Sequence, residues 1–168
     1  MTQTLDVEKI KLDRMRYTKD KTSSNLILLA IVLDCLYFVS IYQSDVGSYY
    51  YNWVIGASVV YNLLFLLTAF LASEEVKTRK GGFVVTLLVI GVMQFVRMFY
   101  LPAKAHAATV EISGVPTQVM TNGQYTYVMV CLALSGLCCI VAGITSYLNS
   151  KKLADYMKTI DLNVERVD

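Results

Sequence analysis

Four long apolar blocks constrain the fold of this chain more than any other feature of its sequence. They cover residues 26–42, 53–72, 83–101 and 127–148. At 1.5 Å per residue each block makes a helix about 25–33 Å long, enough to cross a hydrocarbon core of about 30 Å. Because lipid offers the backbone no hydrogen-bond partners, helix is the conformation that these blocks can adopt there. The sequence therefore predicts an all-α integral membrane protein, a bundle of four transmembrane helices.

Composition excludes the main alternatives to a membrane protein. Hydrophobic residues make up 55% of the 168 residues and charged residues only 17%, against about 45–50% and about 25% in soluble domains. Such a chain is too apolar to be disordered, and its four cysteines are too few for a disulfide scaffold. The net charge of +2 does not indicate nucleic acid as a partner.

The basic residues predict the orientation of the bundle. Thirteen of the fifteen lie before the first block, between the second and third blocks, or after the fourth block, and only Arg97 and Lys104 do not. Since Lys and Arg accumulate on the cytoplasmic side of membranes, both termini are expected in the cytoplasm. The chain then divides into a cytoplasmic segment 1–25, a transmembrane domain 26–148 and a cytoplasmic tail 149–168.

Four polar side chains fall within the predicted spans: Asp34, Asn62, Gln94 and Arg97. A charged residue at the bilayer centre costs roughly 2.5–3.5 kcal/mol, so such residues are functional candidates by default. Three interpretations are open: a structural polar cluster in which Arg97 reaches Asp34, an Arg97 that extends to the interface beside a neutral Asp34, or a transport or proton-relay site.

The fourth span carries small residues at every fourth position: Cys131, Ser135, Cys139 and Gly143. Small residues at this spacing let two helices approach closely, so we expect the row to pack against another span or a second protein. The cysteines form no Cys-x-x-Cys motif and no metal-ligand set. The sequence therefore predicts no metal and no cofactor.

Two features outside the spans suggest local structure. Residues 109–112 alternate in polarity and precede Gly and Pro residues, which predicts a small β-hairpin or a pair of extended arms in the second outer loop. In the tail, apolar residues recur at intervals of three and four, which predicts an amphipathic helix that begins near Ser150. These residues are Leu153, Tyr156, Met157, Ile160 and Val164.

We name these five apolar residues the tail stripe. The sequence leaves open which surface the stripe packs against. Its polar face mixes both signs of charge, unlike the basic face of helices that bind anionic lipid. A groove on this protein or on a partner would suit it, and so would an extension of span four that folds back on its own bundle.

No catalytic motif accompanies these features, so the sequence predicts a protein that is not an enzyme. We expect an accessory or scaffold subunit of a larger membrane complex such as a transporter, with the lipid bilayer and other membrane subunits or copies of itself as partners. The alternative is a small oligomeric transporter or channel that uses the Asp34 and Arg97 cluster. Short loops and the absence of an outer glycosylation sequon indicate a bacterial cytoplasmic membrane.

Overall fold

The computed structural model describes residues 2–43, 52–79, 81–112 and 114–164, and it is helical apart from one short hairpin. Four helices are long and apolar enough to cross a membrane. Many of their large apolar side chains are exposed, among them Leu63, Leu64 and Phe70. An exposed apolar surface of this extent is typical of lipid-facing helices rather than of a soluble domain.

The elements follow one another with short connections. Helix α1 spans Thr2–Tyr17, α2 Lys21–Tyr42 and α3 Asn52–Lys77, and a 3₁₀ turn at Gly81–Phe83 leads into α4, Val84–Ala107. Strand β1, Thr109–Ile112, pairs antiparallel with β2, Val115–Gln118, and α5 spans Asn122–Val164.

The four membrane-length helices pack in an incomplete ring. Helix α2 packs against α3 on one side and α5 on the other, and α5 packs against α4. Helices α3 and α4, which would close the ring, have few close backbone contacts with each other. We call this gap the α3–α4 seam.

Glycines permit the close approach of α4 and α5. A Cβ atom on Gly136 would lie 2.9 Å from the carbonyl oxygen of Gly91 and 2.8 Å from the ring of Phe95. Side chains larger than hydrogen at these positions would therefore push the two helices apart.

The buried core has two apolar halves. Toward the hairpin it includes Tyr37, Ile41, Leu101 and Leu132, and toward the opposite end it includes Ile27, Phe65, Leu87 and Cys139. Between these halves lies a layer that contains Asp34 and Gln94, both fully buried.

The hairpin lies against one end of the bundle, here named the hairpin end. Val119 and Met120, which follow β2, are buried in the same cluster as Leu101 and Ala105. The backbone N–H of Val119 also donates to the carbonyl oxygen of Ala108 at 3.2 Å. The hairpin is thus tied to α4 by both apolar packing and a backbone hydrogen bond.

The opposite end, here named the basic end, is tied together by polar contacts. Asp20 caps α2 by accepting from the backbone N–H of Ser23 at 3.2 Å, and Asn149 of α5 donates to the other carboxylate oxygen at 3.0 Å. The Ser150 hydroxyl donates to the carbonyl oxygen of Arg79 at 2.9 Å, and the Arg79 guanidinium donates to that of Met15. Four separate segments of the chain therefore meet here.

The helices run beyond the apolar blocks. Helix α4 continues through Pro102 to Ala107, so the connection between α4 and α5 begins only after Ala107. The predicted helix start near Ser150 is wrong, because α5 passes through this residue without a break. Between Gly143 and the end of α5 the sequence contains no Gly or Pro, so no helix-breaking residue separates the span from Ser150 and the tail.

Candidate functional site

The structure brings the four polar side chains of the spans together. At 1.5 Å per residue Asp34 lies about 20 Å along α2 from Lys21, and Arg97 lies about 20 Å along α4 from Val84. Counted from the start of their apolar blocks, the two residues lie at different depths. Helix α2, however, begins at Lys21, before its block starts. The early start of α2 therefore sets Asp34 level with Arg97.

Arg97 makes the contacts that join three helices. Its Nη1 donates to Asp34 Oδ1 on α2 at 3.1 Å, and its Nη2 donates to Asn62 Oδ1 on α3 at 2.8 Å. Gln94, one turn earlier on α4, donates through Nε2 to the same Asp34 oxygen at 3.0 Å. One carboxylate oxygen thus accepts two hydrogen bonds from α4.

All four members of this polar cluster are shielded from their surroundings. Asp34 and Gln94 are fully buried, Asn62 is 3% exposed and Arg97 is 8% exposed. Opposite charges in contact at low dielectric attract strongly, so each compensates much of the other's desolvation. These contacts favour an ion pair between Asp34 and Arg97 over an Arg97 side chain that extends to the membrane interface.

Two tyrosine rings enclose the guanidinium. The Cζ atom of Arg97 lies 4.3 Å from the ring centre of Tyr37 and 4.9 Å from that of Tyr61. Cations over aromatic faces gain roughly 2 kcal/mol or more when water is excluded. Tyr37 shares a helix face with Asp34, which its spacing of three indicates, but nothing in the sequence singles out Tyr61 among the twelve tyrosines.

A cleft in the α3–α4 seam reaches the polar cluster. Its volume is about 250 Å³, and its wall is mostly apolar, with Met93 and Val96 from α4 and Ala57 from α3. Arg97 lines it, as do Ser58 and Tyr61, whose hydroxyl groups are buried and have no hydrogen-bond partner among the described residues.

The polar cluster also retains unused acceptors. Asp34 Oδ2 and Gln94 Oε1 are buried, and the described residues provide no donor to either. Buried polar atoms without partners are unfavourable, so a hydrogen-bond donor from a water molecule or a ligand would stabilise each of them. Elsewhere, the His, Cys, Asp and Glu side chains of the described ranges form no group of three that could hold a metal ion.

The row of small residues on α5 faces the bundle. Cys131, Ser135, Cys139 and Gly143 are all buried. The Ser135 hydroxyl donates to the carbonyl oxygen of Ala30 on α2 at 3.0 Å. A Cβ atom on Gly143 would lie 3.4 Å from Leu87 on α4. The row therefore contacts neighbouring spans of the same chain.

The tail stripe lies beyond the bundle. Leu153, Tyr156, Met157 and Ile160 are partly exposed, and Val164 ends α5 with a side chain that is not described. Helix α1 contacts α5, and Leu153 lines a cavity together with Met15. The role of the stripe in binding a partner stays a prediction.

The polar contacts of the basic end were not predicted from the sequence. Asp20 three residues before Ser23 is a recognisable N-cap pattern, but the contact between Asp20 and Asn149 joins residues far apart in the chain. Although burial by itself would raise the pKa of Asp20, hydrogen bonds from Asn149 and Ser23 and the charge of Arg79 lower it below its usual value.

The fold defines the class of this chain: four membrane-length apolar helices indicate a helical membrane protein. Comparison with models of known protein families, with curated proteins and with solved structures finds no match to the chain.

Proposed function

We propose that this chain is a non-enzymatic integral membrane subunit of a larger membrane complex such as a transporter. Short loops without an outer glycosylation sequon favour the cytoplasmic membrane of a bacterium. Both termini lie in the cytoplasm in this proposal, because the basic end carries most of the Lys and Arg residues. The hairpin end then faces outward.

The observation that carries this proposal is the α3–α4 seam. Helices in lipid associate through close packing, yet the backbones of α3 and α4 come close at few points, and the Arg97 side chain bridges them. The cleft in the seam is lined by apolar side chains and by the unpartnered hydroxyl groups of Ser58 and Tyr61. A transmembrane helix of another subunit would supply both the missing apolar contacts and acceptors for these hydroxyls.

The polar cluster supports a structural role for the charges. Asp34 and Arg97 neutralise each other, and Arg97 also holds Asn62 across the seam. An ion pair placed between three helices fixes their relative positions, a registry role that buried polar groups serve in other bundles.

Site-specific photocrosslinking in cells tests the proposed partner. A photoreactive amino acid replaces Met93, which lines the seam, or Leu137 on α5 as the control, the two side chains being 41% and 49% exposed. We expect Met93 to crosslink to a span of one different membrane protein, and Leu137 to give no such product. A crosslink only to a second copy of this chain, or only to lipid, would contradict the proposal.

The alternative function is a small oligomeric transporter or channel, and one observation favours it. The unused acceptors Asp34 Oδ2 and Gln94 Oε1 belong to a cluster that the seam cleft reaches. In this case Asp34→Asn, which keeps the size of the side chain, should abolish proton or solute flux into proteoliposomes. Flux that is equal in the variant and in the parent protein removes this alternative.

A further inference from the structure

Besides the cavity that Met15 and Leu153 line, a larger one lies at the basic end, and it is much more polar than the seam cleft. It has a volume of about 530 Å³ and is formed by α1, the α1–α2 turn, α2, the turn after α3, and α5. Five basic side chains line it, while Asp20 is its only acidic one. The basic residues are Lys11, Lys19, Lys21, Arg79 and Lys152.

The described residues leave most of this positive charge uncompensated. The ion pairs among them are Asp13 with Arg16, Glu74 with Lys77, and Asp34 with Arg97, none of which involves a side chain of this cavity. Asp20 accepts hydrogen bonds from Ser23 and Asn149, and its single charge faces five positive ones. An anion bound in the cavity would therefore be attracted by several basic groups at once.

Arg79 provides a positioned donor in the cavity wall. Its guanidinium is held by the carbonyl oxygen of Met15, while its Nε is buried and has no acceptor among the described residues. Its backbone adopts φ 56°, in the left-handed region that non-glycine residues rarely occupy. The chain thus turns sharply at this residue, and the side chain reaches α1.

The location of the cavity indicates the source of its ligand. Leu148, near the end of the apolar part of α5, lines it beside Asn149 and Lys152. The cavity therefore lies where the apolar span gives way to polar residues, which is the depth of lipid headgroups. Lys and Arg side chains bind phosphate oxygens through charge-assisted hydrogen bonds, and basic pockets at this depth bind anionic headgroups.

We propose that the cavity of the basic end binds a phosphate group, supplied by the headgroup of an anionic phospholipid. This site is independent of the proposed partner helix, because it shares no residue with the α3–α4 seam. Bound lipid would join α1 to α2 and α5 and would stabilise the basic end.

Lipid binding by the full chain in a neutral detergent tests this site. Native mass spectrometry measures the apparent Kd for phosphatidylglycerol, with zwitterionic phosphatidylcholine as the reference lipid. The variant Lys11→Gln/Lys19→Gln/Lys152→Gln removes charge from the cavity without touching Arg79. The matched control, Lys9→Gln/Lys104→Gln/Lys158→Gln, removes the same charge from positions outside the cavity.

We expect the parent protein to prefer phosphatidylglycerol, and the cavity variant to bind it on the order of a hundredfold more weakly, at about 1 kcal/mol per Lys. The control variant should lose about threefold or less. If inorganic phosphate at millimolar concentration displaces phosphatidylglycerol, the cavity binds phosphate, but its ligand is a soluble phosphate and not a lipid headgroup. Equal weakening in both variants, or no preference over phosphatidylcholine, would overturn the proposal.

Discussion

Arg97 is the side chain at which the polar contacts of the membrane-spanning helices converge. It binds Asp34 on α2 and Asn62 on α3 from its own position on α4, between the rings of Tyr37 and Tyr61. A buried charge without its partner is far less favourable than a neutral apolar pair of the same size. The two charged residues are therefore expected to depend on each other.

The first prediction concerns this dependence. Asp34→Leu or Arg97→Met alone should lower the free energy of unfolding by about 3–5 kcal/mol, because each leaves an uncompensated buried charge. The double variant should be more stable than either single one. Unfolding by SDS titration in mixed micelles measures all three against the parent protein, and equal destabilisation in the three variants would refute the pairing.

The sequence identifies the four polar members of this cluster, but it does not identify the tyrosine that completes it. Asp34, Asn62, Gln94 and Arg97 are conspicuous because polar groups in a span are unfavourable. Tyr61 is not, since tyrosines are also common at membrane interfaces. Its contact with Arg97 depends on the rotation of α3 about its own axis.

Helix α5 is the element around which the bundle is organised, because both α2 and α4 pack on it. Small residues at intervals of four predicted a packing face, and the buried row lies at these helix contacts. The backbones of α4 and α5 nevertheless also approach closely at Gly136 and Gly91, which do not belong to the row of small residues. A glycine in a span is visible in the sequence, but its partner is not.

The second prediction tests this close approach. Gly136→Ala should destabilise the protein by about 1–3 kcal/mol, because its methyl group would overlap Phe95 and the backbone of Gly91. Gly56→Ala on α3 is the matched control: nothing lies within 4 Å of its Cβ position, so it should be neutral or stabilise by up to about 1 kcal/mol. Thermal unfolding in detergent measures both, and similar effects of the two substitutions would contradict the packing.

The third prediction concerns the N-cap of α2. Asp20→Ala should lower the free energy of unfolding by about 1 kcal/mol at neutral pH, because the Ser23 N–H loses its acceptor. Since the pKa of Asp20 is lower in the folded protein than its usual 3.8, its charge stabilises the fold above that pH. This contribution disappears as the pH falls through 3.8 toward the lower value of the folded state.

Asp20→Asn removes the charge and keeps a side chain that caps helices well, although its amide group offers one acceptor oxygen where Asp20 offers two. The difference in stability between the parent protein and this variant should shrink as the pH is lowered from about 5 to about 3. Denaturant titrations at several pH values measure it, and a difference that grows on acidification would show that the sign of the pKa shift is wrong.

At the scale of the whole molecule, the distribution of charge supports the proposed orientation in the membrane. The basic end carries α1 and the tail, and the hairpin lies at the other end of the bundle. Reversing this orientation would move most of the basic side chains across the membrane, which the positive-inside rule disfavours.

The fourth prediction is the topology itself. A membrane-impermeant maleimide should label Thr117→Cys, on the exposed hairpin, in intact cells, and should label Lys158→Cys only after the membrane is permeabilised. The four native cysteines lie within the spans, so they should contribute little labelling. Labelling of Lys158→Cys in intact cells would place the tail outside.

The sequence by itself determined the number of spans, their helical state and the residues that are polar within them. Each of these follows locally, because lipid forces the backbone into helices and because polar groups in lipid are conspicuous. Only the tertiary structure decided which helices adjoin, that the α3–α4 seam stays open and that basic residues from separate segments share one cavity. In a membrane the packed and the lipid-facing sides of a helix are both apolar, so hydrophobic periodicity does not encode which side meets a neighbour.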